Sequence, residues 1–425
     1  MRILMFGWEF PPRISGGLGT ACYGITRALA ERGQEIIFVL PTVEDQANDF
    51  PVRLVSAAEV PCSLEREAGV LEGELGDRLR IRTVGSPLCP YLTEKQYRHA
   101  EFGRDNPLKH TLKNEISTAY GPDLFTEICR YGGAAGQIAE KEDFDVIHGH
   151  DWMTVPACLK ARKISAKPFI YHAHALESDR SGAQGDKFIH AVEKLGMETA
   201  DHVIAVSHYT KERIVRDYGL SPEKVTVVHN AVFPKEFDFR AGFIKKRNEK
   251  IVLFLGRITF QKGPAYFLEA ADLVLQMMPE VRFVLAGTGD LLPEMIEKVA
   301  AYRRGARIHF TGFLRGGEVE RMYALSDIYV MPSVSEPFGI SPLEAMNYDI
   351  PVIISRQSGV AEILHHALKV DFWNSRELAD KIIALLRHPP LRQEMSAGAR
   401  EELAEIKWEK AAARIMEVYE RVAAC

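Results

Sequence analysis

Glu336-Pro337-Phe338-Gly339-Ile340-Ser341-Pro342-Leu343-Glu344 sets two carboxylates at an E-x(7)-E spacing, and its surroundings decide how the chain is read. An apolar run over residues 327–331 precedes it. Ser341 reads as an N-cap and Pro342 as the first residue of a short helix over 342–347. Glu336 then lies in the loop at the carboxyl end of a strand, and Glu344 about one turn into the next helix. In open α/β sheets, ligands bind at that edge. Two carboxylates in one crevice suit the hydroxyls of a sugar or a ribose, or general acid/base work. The same residues also suit a capped helix with solvated acids.

The pattern around this stretch repeats along the chain. Short apolar runs over 3–8, 36–40, 146–148, 169–172 and 202–206 read as strands, and helical periodicity spans 18–32, 123–140, 186–199 and 209–218. After the charged Lys245-Lys246-Arg247-Asn248-Glu249-Lys250, the pattern restarts. Strand candidates follow at 251–256, 281–287, 307–311, 328–331 and 351–354, with helices between them. Such alternation predicts parallel sheets with helices on both faces. The expected organisation is one Rossmann-like domain over 1–235, a second over 236–405, and a last helix within 406–425, with helical spacing over 408–424. Residues 83–121, with Pro87, Pro90 and Pro107, break the rhythm and read as a long excursion at the rim of the first domain.

Composition narrows the class. A chain of 425 residues with 46% hydrophobic and 26% charged residues is an ordinary globular mix. A net charge of -5 leaves no basic footprint for nucleic acid. No run of about 18 apolar residues suggests a transmembrane helix, and the start Met1-Arg2-Ile3-Leu4-Met5-Phe6 reads as a buried strand rather than a signal peptide. The six cysteines are scattered without C-x-x-C, so reduced thiols and a cytoplasmic location are expected.

Several loops carry chemistry. Trp8-Glu9-Phe10-Pro11-Pro12-Arg13-Ile14-Ser15-Gly16-Gly17-Leu18-Gly19 joins the first strand to a helix. Glycines at a helix start expose backbone N–H groups that favour phosphate, though a plain tight turn reads the same way. It is neither G-x-G-x-x-G nor a P-loop. Gly256-Arg257-Ile258-Thr259-Phe260-Gln261-Lys262-Gly263 is the corresponding loop of the second domain. Arg257 offers a planar fork and Lys262 a mobile charge, a pair suited to a diphosphate or to solvated surface. Two such loops would face each other across a cleft and hold one bridging ligand. His148-Gly149-His150-Asp151 and Tyr171-His172-Ala173-His174 bring two H-x-H pairs to strand ends. No H-E-x-x-H accompanies them, so a neutral histidine bonded to a sugar hydroxyl fits better than a metal ligand. Asp143-Phe144-Asp145 matches D-x-D but precedes its strand, and Ser221-Pro222-Glu223-Lys224 reads as a helix start.

The order of these motifs resembles that of the retaining GT-B glycosyltransferases, specifically glycosyltransferase family 4 and its glycogen/starch synthase relatives. The residues that carry it are Gly16-Gly17-Leu18-Gly19, His148-Gly149-His150-Asp151-Trp152, 201–207, Gly256-Arg257 with Lys262-Gly263, and Glu336-Pro337-Phe338-Gly339 with Glu344-Ala345. The lead Trp8-Glu9-Phe10-Pro11-Pro12 tilts it toward α-glucan synthases. The resemblance implies two Rossmann-like α/β domains facing a cleft, and hexosyl transfer from ADP-glucose or UDP-glucose to an α-glucan or oligosaccharide. It implies a nucleotide sugar as substrate, no cofactor and no metal.

Roles follow at matching positions. His150, Arg257, Lys262 and Glu336 would be catalytic: His150 at the sugar's 6-hydroxyl, the two cations on the diphosphate, Glu336 on the donor sugar. Gly16, Gly17, Gly312, Phe313, Leu314, Phe338, Gly339, Ile340 and Glu344 would bind donor, with Glu344 on the ribose. Trp8, Glu9, Asp151 and His174 are acceptor-side candidates. Bacterial glycogen synthases usually carry a lysine shortly before the double glycine. Here Ile14-Ser15 precede it, and 174–177 look more like other family 4 enzymes, which leaves a sugar phosphate or small oligosaccharide open as acceptor. Other readings are a GT-B phosphorylase or epimerase, or a non-catalytic sugar-binding protein. A dinucleotide oxidoreductase lacks its glycine fingerprint.

Overall fold

A computed structural model of the protein describes residues 1–11, 16–43, 52–60, 124–182, 185–234 and 249–424. The excursion at 83–121, Ile14-Ser15, Cys62, Cys89, Cys425 and the charged residues 245–248 lie outside the described residues. By internal contact the chain divides into two units. Unit 1 comprises Met1–Ser178, Ala183–His229 and Trp408–Cys425; unit 2 comprises Asp179–Gly182 and Asn230–Lys407.

Unit 1 holds a parallel sheet of β1 (Arg2–Phe6), β2 (Glu35–Leu40), β3 (Arg53–Ser56), β4 (Val146–His150), β5 (Phe169–Ala173), β6 (His202–Ala205) and β7 (Val225–Val227). Their order is β3-β2-β1-β4-β5-β6-β7. Helices Gly17–Glu31, Leu124–Lys141, Val155–Ser165, Lys187–Thr199 and His208–Tyr218 connect them. The central strands are buried along nearly their whole length, as runs such as Ile3-Leu4-Met5-Phe6 require when helices cover both faces. Tyr131 fixes the helix Leu124–Lys141 to the sheet: its hydroxyl donates to the carbonyls of Gly7 and Val39, and its ring meets Trp8 edge-on at 5.5 Å.

Unit 2 repeats the design with β8 (Ile251–Leu255), β9 (Arg282–Ala286), β10 (Ile308–Gly312), β11 (Ile328–Met331), β12 (Val352–Ser355) and β13 (Leu368–Val370), in the order β10-β9-β8-β11-β12-β13. Its core includes Phe254, Phe267, Phe283, Ile328 and Ile382. In each unit the strand order reverses beside the first strand. β1 lies between β2 and β4, and β8 between β9 and β11. Loops leaving adjacent strands diverge there, opening a crevice at the carboxyl edge of each sheet.

The expected strands and helices appear within about two residues of their anticipated bounds, the usual uncertainty of element ends. Three strands had no sequence expectation: β3, β7 and β13, all at sheet edges. One end was misread. The short helix is Ser341–Met346, so Ser341 is its first residue rather than its cap, and Ile340 occupies the cap position. The segment 221–224 is a single 3-10 turn, Pro222–Lys224.

Helix Trp408–Ala423 belongs to unit 1 and buries Trp408, Ala411, Ala412, Ile415, Val418 and Tyr419, a stripe of helical period. It packs on the helix Gly17–Glu31, where the Trp408 indole occupies the space a side chain at Gly24 would need. A Cβ there would stand 2.2 Å from the ring. Gly24→Ala is therefore expected to cost about 1–3 kcal/mol by overpacking. A urea midpoint equal to that of the unaltered protein would refute this.

Candidate active site

In unit 2, the loop after β8 folds as a 3-10 turn, Phe260–Lys262, and then enters helix Pro264–Met277 at Gly263. Gly263 has φ 66°, and a Cβ there would lie 2.1 Å from the Pro332 carbonyl oxygen. Only glycine lets this loop lie against the one after β11. That contact brings Lys262 Nζ to 2.5 Å from Glu336 Oε2. Ser333 Oγ donates to the same oxygen at 3.1 Å. Glu336 is 6% exposed, so its charge needs these partners. Its backbone is pinned as well: its N–H donates to Gln357 O, and its carbonyl accepts from Gly359 N, both at 2.9 Å. Arg257, in the same loop as Lys262, donates to Gln261 Oε1 at 3.1 Å.

Glu344 sits in the first turn of Ser341–Met346, half-buried, and accepts from the Tyr323 hydroxyl at 3.0 Å. Burial pushes its carboxyl up, against the lowering effect of the Tyr323 bond. Burial chiefly, with the charges of Glu336 and Glu344, also raises the phenol of Tyr329, so both carboxylates lie within electrostatic reach of one ring. Farther along, Gly312 ends β10, and Phe313 is exposed with the Arg315 guanidinium 5.5 Å over its ring.

In unit 1, β4 and β5 pair with His150 directly opposite His172. The two-residue period of a strand puts His148 on the same face as His150, and His174 follows His172 just past the end of β5. The four rings form one layer. Neighbouring centroids lie 4.5 Å apart for His148/His150, 5.1 Å for His150/His174 and 4.2 Å for His172/His174. His148 Nε2 meets His172 Nδ1 at 3.1 Å, and His150 Nδ1 meets His174 Nε2 at 2.9 Å. The hydroxyl of Tyr419 reaches His148 Nδ1 at 2.5 Å, tying the layer to the last helix. Burial lowers all four: His148 and His174 to about 3, His150 and His172 well below the usual histidine range. All four are neutral near pH 7. Asp151, at φ 60°, accepts from the backbone N–H groups of His174 and Ala175 at 2.6 and 3.2 Å, stitching the loops after β4 and β5 together.

Residues 101–236 match the family model for Glycosyltransferase Family 4, and residues 235–402 that for Glycosyl transferases group 1. An uncharacterised glycosyltransferase of Methanocaldococcus jannaschii is 29% identical over 99% of this chain and 98% of its own length. Glycogen synthase of Mycobacterium tuberculosis is 24% identical over 99% of this chain and 94% of its own. The crystal structure of Anabaena HepE in complex with UDP-glucose is similar with TM-score 0.69 at 16% identity, covering 99% of this chain and 100% of that one. The chain is a glycosyltransferase of GT-B fold, with a family 4 segment followed by a group 1 segment.

Within this glycosyltransferase, the expected site residues fall into two sets. In unit 2, Lys262 and Glu336 are in contact, Arg257 shares the loop of Lys262, and Glu344 opens the helix after Glu336. Phe338 and Ile340 have buried side chains, so only their backbone is suited to a ligand. In unit 1, Gly16 and Gly17 are exposed at the start of Gly17–Glu31, which has no side-chain cap. His150 and His174 are bonded together. Three of the acceptor-side candidates, Trp8, Asp151 and Glu9, are buried in unit 1. Trp8 is a core residue, 2% exposed and packed on Tyr131, because β1 delivers it beneath the helix Leu124–Lys141. Asp151 is 4% exposed and committed to backbone amides. Glu9 is likewise buried at 7% exposure. Asp143 and Asp145 of the D-x-D lie at the amino end of β4, bonded to Arg2.

Sequence reading missed Ser333, Tyr323, Tyr419 and Cys22. Tyr323 and Tyr419 are separated from their partners by 21 and 271 residues, and no local pattern signals them. Cys22 lies near the histidines, with its thiol pushed up by burial first and then by the Asp151 and Glu9 carboxylates. Among the described residues, two groups bring metal-capable atoms within 4.8 Å of one another: Cys22/His150/His174 and His148/His150/His172.

The histidine layer predicts an acid weakness. Each ring is neutral when folded but takes a proton near the ordinary value of 6.5 once unfolded. The unfolded chain therefore binds more protons below that value, and stability falls as pH drops from about 6.5 towards about 3. Each histidine contributes a slope of up to about 1.4 kcal/mol per pH unit. Thermal melts should fall between about pH 7.5 and about pH 5.5, and His172→Gln should flatten the fall. A Tm that is level across this range would contradict the assignment.

Proposed function

We propose that the chain transfers glucose from a nucleotide-diphosphate sugar, ADP-glucose or UDP-glucose, to an α-glucan or maltooligosaccharide, with retention and without a metal. The observation that carries this reading is the Lys262–Glu336 contact at 2.5 Å with Arg257 in the same loop. It sets two cations suited to a diphosphate beside a carboxylate suited to sugar hydroxyls, at the carboxyl edge of a parallel sheet. The likeness to a glycogen synthase along almost the whole chain supports the acceptor class.

In this reading the diphosphate draws Lys262 from Glu336 and meets Arg257 as well. Glu336 then receives hydroxyls of the glucose, helped by the backbone N–H groups of Gly339 and Ile340. Glu344 accepts from the ribose, and Gly312, Phe313 and Leu314 line the base. Gly16 and Gly17 offer helix-start amides to the diphosphate, and neutral His150 bonds the 6-hydroxyl. The bond from the anomeric carbon to the diphosphate oxygen breaks while the acceptor hydroxyl attacks on the same face. The acceptor proton passes to the departing oxygen. Stabilising that leaving charge is the largest catalytic contribution.

The test is a panel of nucleotide sugars with and without maltooligosaccharide, in EDTA, reading nucleoside diphosphate release and the anomeric proton of the product. An α-1,4-linked extension is expected. A β signal overturns retention, and turnover that needs a divalent ion overturns metal independence. Release seen only with a sugar phosphate or small sugar replaces the acceptor. Glucose 1-phosphate formed from glucan and inorganic phosphate would mark a phosphorylase. Arg257→Ala and Lys262→Ala should each lower kcat by about 10²–10³. Arg257→Ala is the cleaner arm, because removing Lys262 also strips the cation from a buried carboxylate.

Glu344 adds a pH signature. Only its ionised form accepts two ribose hydroxyls, and its carboxyl titrates above the ordinary range. Donor KM should therefore rise as pH falls through that raised value. Tyr323→Phe removes the bond that lowers it, and should move the rise to higher pH. An inflection that stays in place in Tyr323→Phe would remove Glu344 from this role.

A further inference from the structure

We propose that Cys22, His150 and His174 form a binding site for one borderline-soft divalent cation of the zinc type, and that its occupation takes His150 out of use. One donor atom from each residue lies within 4.8 Å of the other two, all inside unit 1. Three elements supply them: the helix Gly17–Glu31, the end of β4 and the segment just past β5. Cys22 and His150 are fully buried, and Cys22 carries a free thiol. The nitrogens that face each other, His150 Nδ1 and His174 Nε2, lie 2.9 Å apart, and the far nitrogens, Nε2 of His150 and Nδ1 of His174, have no hydrogen-bond partner and are free to carry the ring protons.

The carboxylates of Glu9 and Asp151 both act on Cys22, and a cation beside it would offset them. Two imidazoles and a thiolate suit zinc or cobalt(II) and leave a fourth position for water. The step is an exchange: the proton held between His150 Nδ1 and His174 Nε2 moves to the far nitrogen of its own ring, the cation takes one lone pair from each imidazole and one from sulfur, and the thiol proton goes to solvent. No electron moves.

The second group, His148/His150/His172, shares His150 but suits a cation less well. All three of its residues are fully buried, and it offers no thiolate. Partly exposed His174 gives the first group a route in.

The site itself stands apart from the proposed reaction; only the inhibition rests on the role of His150. The test adds cobalt(II) to metal-free protein near neutral pH. One equivalent should bind with tetrahedral visible bands and a thiolate-to-cobalt charge-transfer band. Cys22→Ser should lose that band and bind about 10-fold or more weakly. His174→Gln should also weaken binding, which keeps the test open if Cys22→Ser folds poorly. Zinc should inhibit glucosyl transfer by the unaltered protein and spare Cys22→Ser, with EDTA restoring activity. No saturable binding, or binding with no charge-transfer band, overturns the site. Cobalt bound as expected with transfer unaffected by zinc overturns the inhibition. The spectra need no turnover, so failure of the transferase reading would leave them interpretable.

Discussion

Within each sheet every described strand runs parallel to its neighbours, and that constraint organises the rest. Parallel strands need a crossover between each pair, so helices cover both faces and the strands become apolar throughout. All carboxyl ends then gather on one edge of each sheet. Where the order reverses, at β1/β4 and β8/β11, the outgoing loops part. The polar residues of the proposed chemistry come from those ends: His150 from β4, Lys262 from the loop after β8, Glu336 from the loop after β11.

Charge is handled differently in the two units. In unit 2 a buried carboxylate is paired with Lys262 and Ser333, a local arrangement ready to exchange partners with an anionic ligand. In unit 1 burial keeps four histidines neutral, and they satisfy part of their hydrogen-bonding capacity among themselves and with Tyr419. Neutral rings can donate to or accept from hydroxyls, and they can also receive a cation. The same layer thus underlies both the proposed contact with the sugar and the proposed inhibitory site.

How far the sequence could be read depends on where each residue lies. Strands covered on both sides, such as β1, β8 and β11, have continuous apolar runs and were legible. The missed strands β3, β7 and β13 are short, lie at edges and mix polar with apolar residues, as Arg53-Leu54-Val55-Ser56 and Leu368-Lys369-Val370 show. An edge strand pairs on one side only, so its pattern carries less burial. The cap at Ser341 was misplaced by one residue because the Ser-Pro signal reads equally well in either register.

The sequence by itself determined the two-fold repetition of strand and helix, the loops at strand ends, and the order of motifs that marks a GT-B glycosyltransferase. These are local properties: apolar period, glycine at turns and charge in loops. Only the tertiary structure decided which side chains meet. Lys262 finds Glu336 because glycine at 263 lets two loops touch, and His148 finds Tyr419 across 271 residues because the last helix packs on unit 1. It also decided that Trp8 and Asp151 work as core and bracket. Spacing along a chain predicts which face a residue takes, but its neighbours across that face come from packing between distant segments, which no local pattern encodes.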